Sequence, residues 1–101
     1  MADFVKVASL SDLQKGTCRS VEVKDKTLAL FNVDGAIYAL DNTCLHQGGP
    51  LGEGILAGDV VSCPWHMWEW NVRTGEKCGD ASLKLATYPV LVEGTDIKVA
   101  V

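Results

Sequence analysis

Cys44-Leu45-His46 and Cys63-Pro64-Trp65-His66 hold two of the four cysteines and both histidines of the chain. A Cys-x-His hook followed by a Cys-x-x-His hook can deliver two thiolates and two imidazoles to one place, so Cys44, His46, Cys63 and His66 are the candidate metal ligands. No histidine remains for acid–base chemistry, and no catalytic residue is assigned. Cys₂His₂ is a common structural zinc set, which would make the chain a zinc-stabilised interaction module. Zinc-finger spacing, however, pairs cysteine with cysteine and histidine with histidine, whereas each hook here gives one of each. The mixed arrangement suits a two-iron cluster in which one iron takes both thiolates and the other both imidazoles.

The elements that must position these hooks read as short strands broken by turns. Phe4 to Val7 is a first strand, and Ser9 to Gly16 a loop with one helical turn. Val21 and Val23 alternate with charged residues, and Asp25-Lys26 turns the chain into a strand from Thr27 to Val33. Asp34-Gly35 between two apolar runs signals a two-residue hairpin, and its return strand, Ala36 to Leu40, runs into the first hook. Val60 to Ser62 is a strand leading into the second. Trp68, Trp70 and Val72 alternate with Glu69, Asn71 and Arg73, which predicts one strand with an apolar face, stopped by Thr74-Gly75. A last hairpin runs from Ala86 to Val92, turns at Glu93 to Asp96 and returns from Ile97 to Val101. Short strands at this spacing predict an all-β antiparallel sandwich or small barrel.

The chain has 101 residues, 48% of them apolar and 22% charged, which is one soluble domain over 1–101. A net charge of −4 argues against nucleic-acid binding and fits a partner with a basic docking surface. Met1 to Val7 lacks the apolar core of a signal peptide, and no apolar run approaches the roughly 18–20 residues of a membrane helix. A cytoplasmic protein is expected, with no membrane partner. There cysteines seldom form disulfides, which favours ligation at Cys44 and Cys63 and disfavours a bridge between Cys18 and Cys78.

The hooks resemble the signature of the Rieske iron–sulfur family: Cys-x-His, a spacer, then Cys-x-x-His. The likeness extends to Gly48-Gly49-Pro50-Leu51 after the first hook, to Trp68 through Gly75 after the second, and to Tyr88-Pro89-Val90. The resemblance implies a Rieske-type β-sandwich with a small cluster-binding subdomain formed by two loops, near 42–52 and 62–70, and one [2Fe-2S] cluster on Cys44, His46, Cys63 and His66. Two neutral imidazoles in place of two thiolates leave the cluster less negative, so potentials in the class run from about −150 to +300 mV against about −400 mV for plant-type clusters. High-potential members carry an extra cysteine in each hook and aim serine and tyrosine hydroxyls at sulfur. The matching positions here are Gly49, Trp65, Trp68 and Trp70, which places the expected potential at the low end of the range.

The same resemblance implies an electron carrier rather than an enzyme. Oxygenases of the family add a mononuclear iron on two histidines and a carboxylate, for which this chain has no spare histidine. It is similar to soluble monomeric ferredoxins that pass one electron at a time from a flavin-dependent NAD(P)H ferredoxin reductase to a terminal oxygenase. The small Rieske subunit of an assimilatory NADH-dependent nitrite reductase is the alternative. Of the other residues, Cys18 and Cys78 read as buried thiols, Trp68 and Trp70 as core, Trp65 as a shield, Pro50 and Pro64 as loop stiffeners and Met67 as packing. Gly48, Gly49 and Gly52 either bring backbone N–H groups to the sulfides or give ordinary loop flexibility. Glu53, Asp59, Glu69 and Glu76 read as a solvated acidic face.

Overall fold

The computed structural model describes residues 4–23, 26–42, 51–63 and 68–100. Leu28-Ala29-Leu30-Phe31 has no polar alternation, so a strand there must bury both faces. In β3 (Lys26–Val33) all four are fully buried. With β2 (Cys18–Val23), β4 (Ala36–Asp41) and β10 (Thr87–Tyr88) it forms an antiparallel sheet in the order β10-β4-β3-β2. The β3–β4 turn is Asp34-Gly35 with φ of 51° and 98°, the left-handed pair a type I′ hairpin requires.

Each face of this middle sheet carries its own core. Leu28, Leu30, Val21, Val23 and Ala39 pack with Ile97 and Val99. The latter two belong to β12 (Asp96–Ala100), which lies between β1 (Phe4–Ser9) and β11 (Val90–Glu93) in a three-stranded sheet. Ala29, Phe31 and Leu40 pack the other way, with Val61, Cys63, Trp70, Val72 and Leu85. Those five come from the part of the chain that holds a five-stranded sheet in simple sequence order: β5 (Ile55–Ala57), β6 (Val60–Ser62), β7 (Glu69–Asn71), β8 (Glu76–Lys77) and β9 (Asp80–Lys84). The described residues are otherwise irregular apart from single 3-10 turns at Leu10–Asp12 and Leu51–Glu53.

The expected all-β antiparallel architecture is present, and the described residues between the two expected loops include a further sheet of short strands. β4 ends at Asp41 and its partner β10 begins at Thr87, and the Asp41 N–H donates to the Ala86 carbonyl at 3.1 Å. Residues 42–86 therefore leave and re-enter the sandwich at one point. Three expectations shift. The strand expected from Trp68 to Arg73 is confined to Glu69–Asn71, because the Asn71 side-chain oxygen accepts the N–H groups of Arg73 (2.9 Å) and Thr74 (3.3 Å) and turns the backbone early. The strand expected from Ala86 to Val92 divides at Pro89, which lacks the N–H a continuous ladder needs; β10 pairs with β4, and β11 with β12. The last turn tightens to Gly94-Thr95, with Gly94 at φ 62°, which draws Glu93 and Asp96 into the strands. Three strands escaped the sequence reading: β5, β8 and β9.

Candidate metal centre

The second hook grows out of the β6–β7 hairpin. Ser62 pairs with Glu69, and one step further the Cys63 N–H donates to the Trp68 carbonyl at 2.8 Å. The residues between Cys63 and Trp68 include His66. Cys63, one residue past the end of β6, is fully buried in the same core as Val61.

The first hook leaves β4 at Asn42, and the chain comes back to the body at Gly52. The Asn42 side chain is 8% exposed, and its Oδ1 accepts hydrogen bonds from the Gly52 N–H at 2.8 Å and from the Ser20 hydroxyl at 3.0 Å. Its backbone N–H donates to the Thr27 carbonyl at 3.2 Å. Gly52 is pressed against β2: a Cβ there would collide with the Ser20 hydroxyl and backbone nitrogen and stand 2.7 Å from the Arg19 carbonyl carbon. Neither expectation for Gly52 holds, since its N–H is committed to Asn42 and its missing side chain allows close packing. Just outside this neck, Tyr88 donates its hydroxyl to Asp41 Oδ1 at 2.7 Å. Burial, helped by that carboxylate, pushes the Tyr88 pKa up to about 12.

Of the four expected ligands, Cys63 lies among the described residues; Cys44, His46 and His66 lie outside them, as do Asp25, Gly48, Gly49, Pro50, Pro64, Trp65 and Met67. What is described fits an iron–sulfur group. Cys63 sits in an apolar core, where a bare thiolate would be costly and metal coordination removes the cost. In the same core the Trp70 indole Nε1 is buried without a hydrogen-bond partner among the described residues. Trp68 and Trp70 both face this core as expected, with ring centroids 6.3 Å apart. Trp68 is half-buried and carries the Lys77 ammonium 4.6 Å from its ring centre, a fixed positive charge beside the second hook.

The remaining residues keep ordinary roles. Cys18 and Cys78 are half-buried free thiols. The Cys18 thiol donates to the Gly54 carbonyl at 3.3 Å, and burial pushes its pKa up, away from reactivity. Glu53 and Glu69 are exposed, whereas Asp59 pairs with Arg73 at 3.5 Å. Sequence reasoning missed Asn42 and Lys77. The available signal for Asn42 was a lone amide at the end of an apolar strand, where only a hydrogen-bonding task justifies burial.

A profile of the Rieske [2Fe-2S] domain matches residues 3–89. The chain is 35% identical over 97 residues to the naphthalene 1,2-dioxygenase system ferredoxin component of Pseudomonas putida, covering 95% of this chain and 93% of that protein. In a solved complex of reduced oxygenase and oxidized ferredoxin in carbazole 1,9a-dioxygenase, one chain superposes with a TM-score of 0.86 at 37% identity, covering 96% of this chain and 92% of that one. The ferredoxin of carbazole 1,9a-dioxygenase from Nocardioides aromaticivorans IC177 gives 0.88 at 29% identity, covering 98% of each chain. A putative nitrite reductase small subunit gives 0.83 at 22% identity over 98% of this chain and 99% of that one, a likeness of fold alone. The matched span and the near full-length likeness to ferredoxins place this chain in the Rieske [2Fe-2S] domain family, as an electron carrier holding one [2Fe-2S] cluster.

Proposed function

We propose that Cys44 and Cys63 hold one iron of the cluster and His46 and His66 the other, and that the chain is a soluble, cytoplasmic, monomeric carrier between a flavin-dependent reductase and the terminal oxygenase of a dioxygenase system. The carrying observation is Cys63: a fully buried thiol at the mouth of the second hook, held there by the Cys63–Trp68 backbone bond. When bound, the cluster supplies a one-electron couple at iron. The protein's part is to hold still. Asn42 fixes both ends of the first hook and the β6–β7 ladder fixes the second, which limits rearrangement when charge is added. The relatives support the role, being ferredoxin components of dioxygenase systems that match over nearly their whole length. Among the described residues no helix is long and apolar enough to cross a membrane. The nitrite reductase subunit has only the shared fold behind it.

The decisive experiment is ligand substitution read by spectroscopy. Purified protein should contain about two irons and two acid-labile sulfides per chain and give a Rieske-type EPR signal on reduction. His46→Ala and His66→Ala should each abolish or convert that signal, since one iron loses half its protein ligands. An unchanged signal in His66→Ala refutes the assignment. Protein-film voltammetry should place the midpoint in the lower half of the Rieske range, and a value in the upper half refutes the low-potential reading.

A further inference from the structure

Trp70 is fully buried, and its Nε1–H has no acceptor among the described residues. A tryptophan N–H that leaves water normally finds a partner, and leaving it unmet costs stability that phenylalanine would not incur. The other buried side chains of this core, Ala29, Phe31, Leu40, Val61, Val72 and Leu85, offer no oxygen or nitrogen acceptor, and the Tyr38 hydroxyl and Cys18 thiol belong to half-buried residues at its border. Cys63 is the exception among the buried members, a sulfur in the same apolar group. Register explains the company it keeps. Trp70 is the cross-strand partner of Val61, and Cys63 follows Val61 by two residues and shares its core.

We propose that Trp70 is a positioning residue for the cluster: its Nε1–H donates to a sulfur of the iron–sulfur core bound at Cys63, and thereby raises the reduction potential. This rests on the assignment of Cys63 as a ligand. Reduction adds one negative charge, so a donor aimed at sulfur stabilises the reduced form more than the oxidised form. A single neutral indole replaces two hydroxyl donors at this face, which is consistent with a potential that stays low for the class.

Trp70→Phe keeps a large ring and removes the N–H. The ratio of reduced to oxidised protein at a fixed applied potential should fall about tenfold, equivalent to about 59 mV for a one-electron couple. A change of less than twofold overturns the proposal, and is also the result expected if a buried water were the true acceptor. A second measurement needs no change at Trp70. Protein labelled with ¹⁵N at the indole nitrogens and carrying Trp65→Phe and Trp68→Phe retains Trp70 as its one indole. Pulsed EPR of the reduced form should show a ¹⁵N coupling transmitted through the hydrogen bond, and its absence overturns the proposal even if Trp70→Phe fails to fold. The ligand assignment is judged separately, by whether unmodified protein shows the Rieske signal. With that signal present and the coupling absent, only the role of Trp70 falls.

Discussion

Replacing Gly52 with alanine should detach the first hook from the body of the protein. The added methyl group would meet Ser20 and the Arg19 carbonyl carbon, the latter at 2.7 Å. Most of what it meets is backbone in a paired strand, since Arg19 and Ser20 pair with Leu30 and Ala29, so no rotamer change relieves the clash. Overpacking of this kind costs about 1–3 kcal/mol. Moving Gly52 outward also breaks its bond to Asn42, and a buried polar group left unmet adds about 1–3 kcal/mol. The sum, about 2–6 kcal/mol, is a large share of the 5–15 kcal/mol typical of a domain. Gly58→Ala provides the ruler: that residue sits at φ 63° with open space around it, so only backbone strain of about 1 kcal/mol is expected. Urea unfolding of both variants measures the difference, and the decay of the EPR signal on dilution into chelator measures cluster retention. Gly52→Ala should be the less stable and lose its cluster faster. Equal stability, with cluster loss at the wild-type rate, would refute the argument that Asn42 and Gly52 close the hook.

Asn32→Ala should cost about 2–4 kcal/mol, because this buried amide donates to the Leu13 carbonyl and accepts from the Gly35 N–H, each at 2.8 Å; denaturant melts should show the loss while the EPR line shape stays unchanged. Tyr88 titrates at about 12 when folded against about 10 when unfolded. The neutral phenol is the form the fold favours, so its contribution is complete below about pH 10 and declines as pH rises toward about 12. A stability-versus-pH comparison should therefore show wild type losing its advantage over Tyr88→Phe across that interval, and a constant difference would refute it. Lys77→Gln removes the charge above Trp68, and loss of the cation–π contact should lower stability by about 0.5–1 kcal/mol. Reduction should also become harder, which voltammetry at low ionic strength would detect.

The hooks stand out in the sequence because ligand chemistry restricts residue type and spacing, and of their four proposed ligands Cys63 lies among the described residues; the β3–β4 hairpin was legible because Asp-Gly encodes a left-handed turn in two residues. The inward face of Trp68, Trp70 and Val72 followed from alternation. What escaped depended on distant partners. β8 is two residues long, too short to show a period, and exists because Trp70 pairs with Lys77. The division of the last strand at Pro89 required knowing that β4 and β12 offer separate edges to the same segment. Gly52 looked like one of several loop glycines, and only its approach to β2 separates it from Gly58.

β3 then explains how so small a chain can brace the ends of both proposed ligand hooks. Its residues alternate between two cores: Leu28 and Leu30 belong to the one shared with β12, and Ala29 and Phe31 to the one that contains Cys63 and Trp70. The first hook is tied to the same strand, through the Asn42 N–H on the Thr27 carbonyl, and to its neighbour β2 through Ser20. Both hooks are thus anchored to the sheet that every other layer packs against. Loosening either one requires breaking polar contacts in a buried neck or opening an apolar core, and both resist the rearrangement that would slow electron exchange. An inserted unit of short strands would be marginal alone; seated on β3, it shares the stability of the whole sandwich.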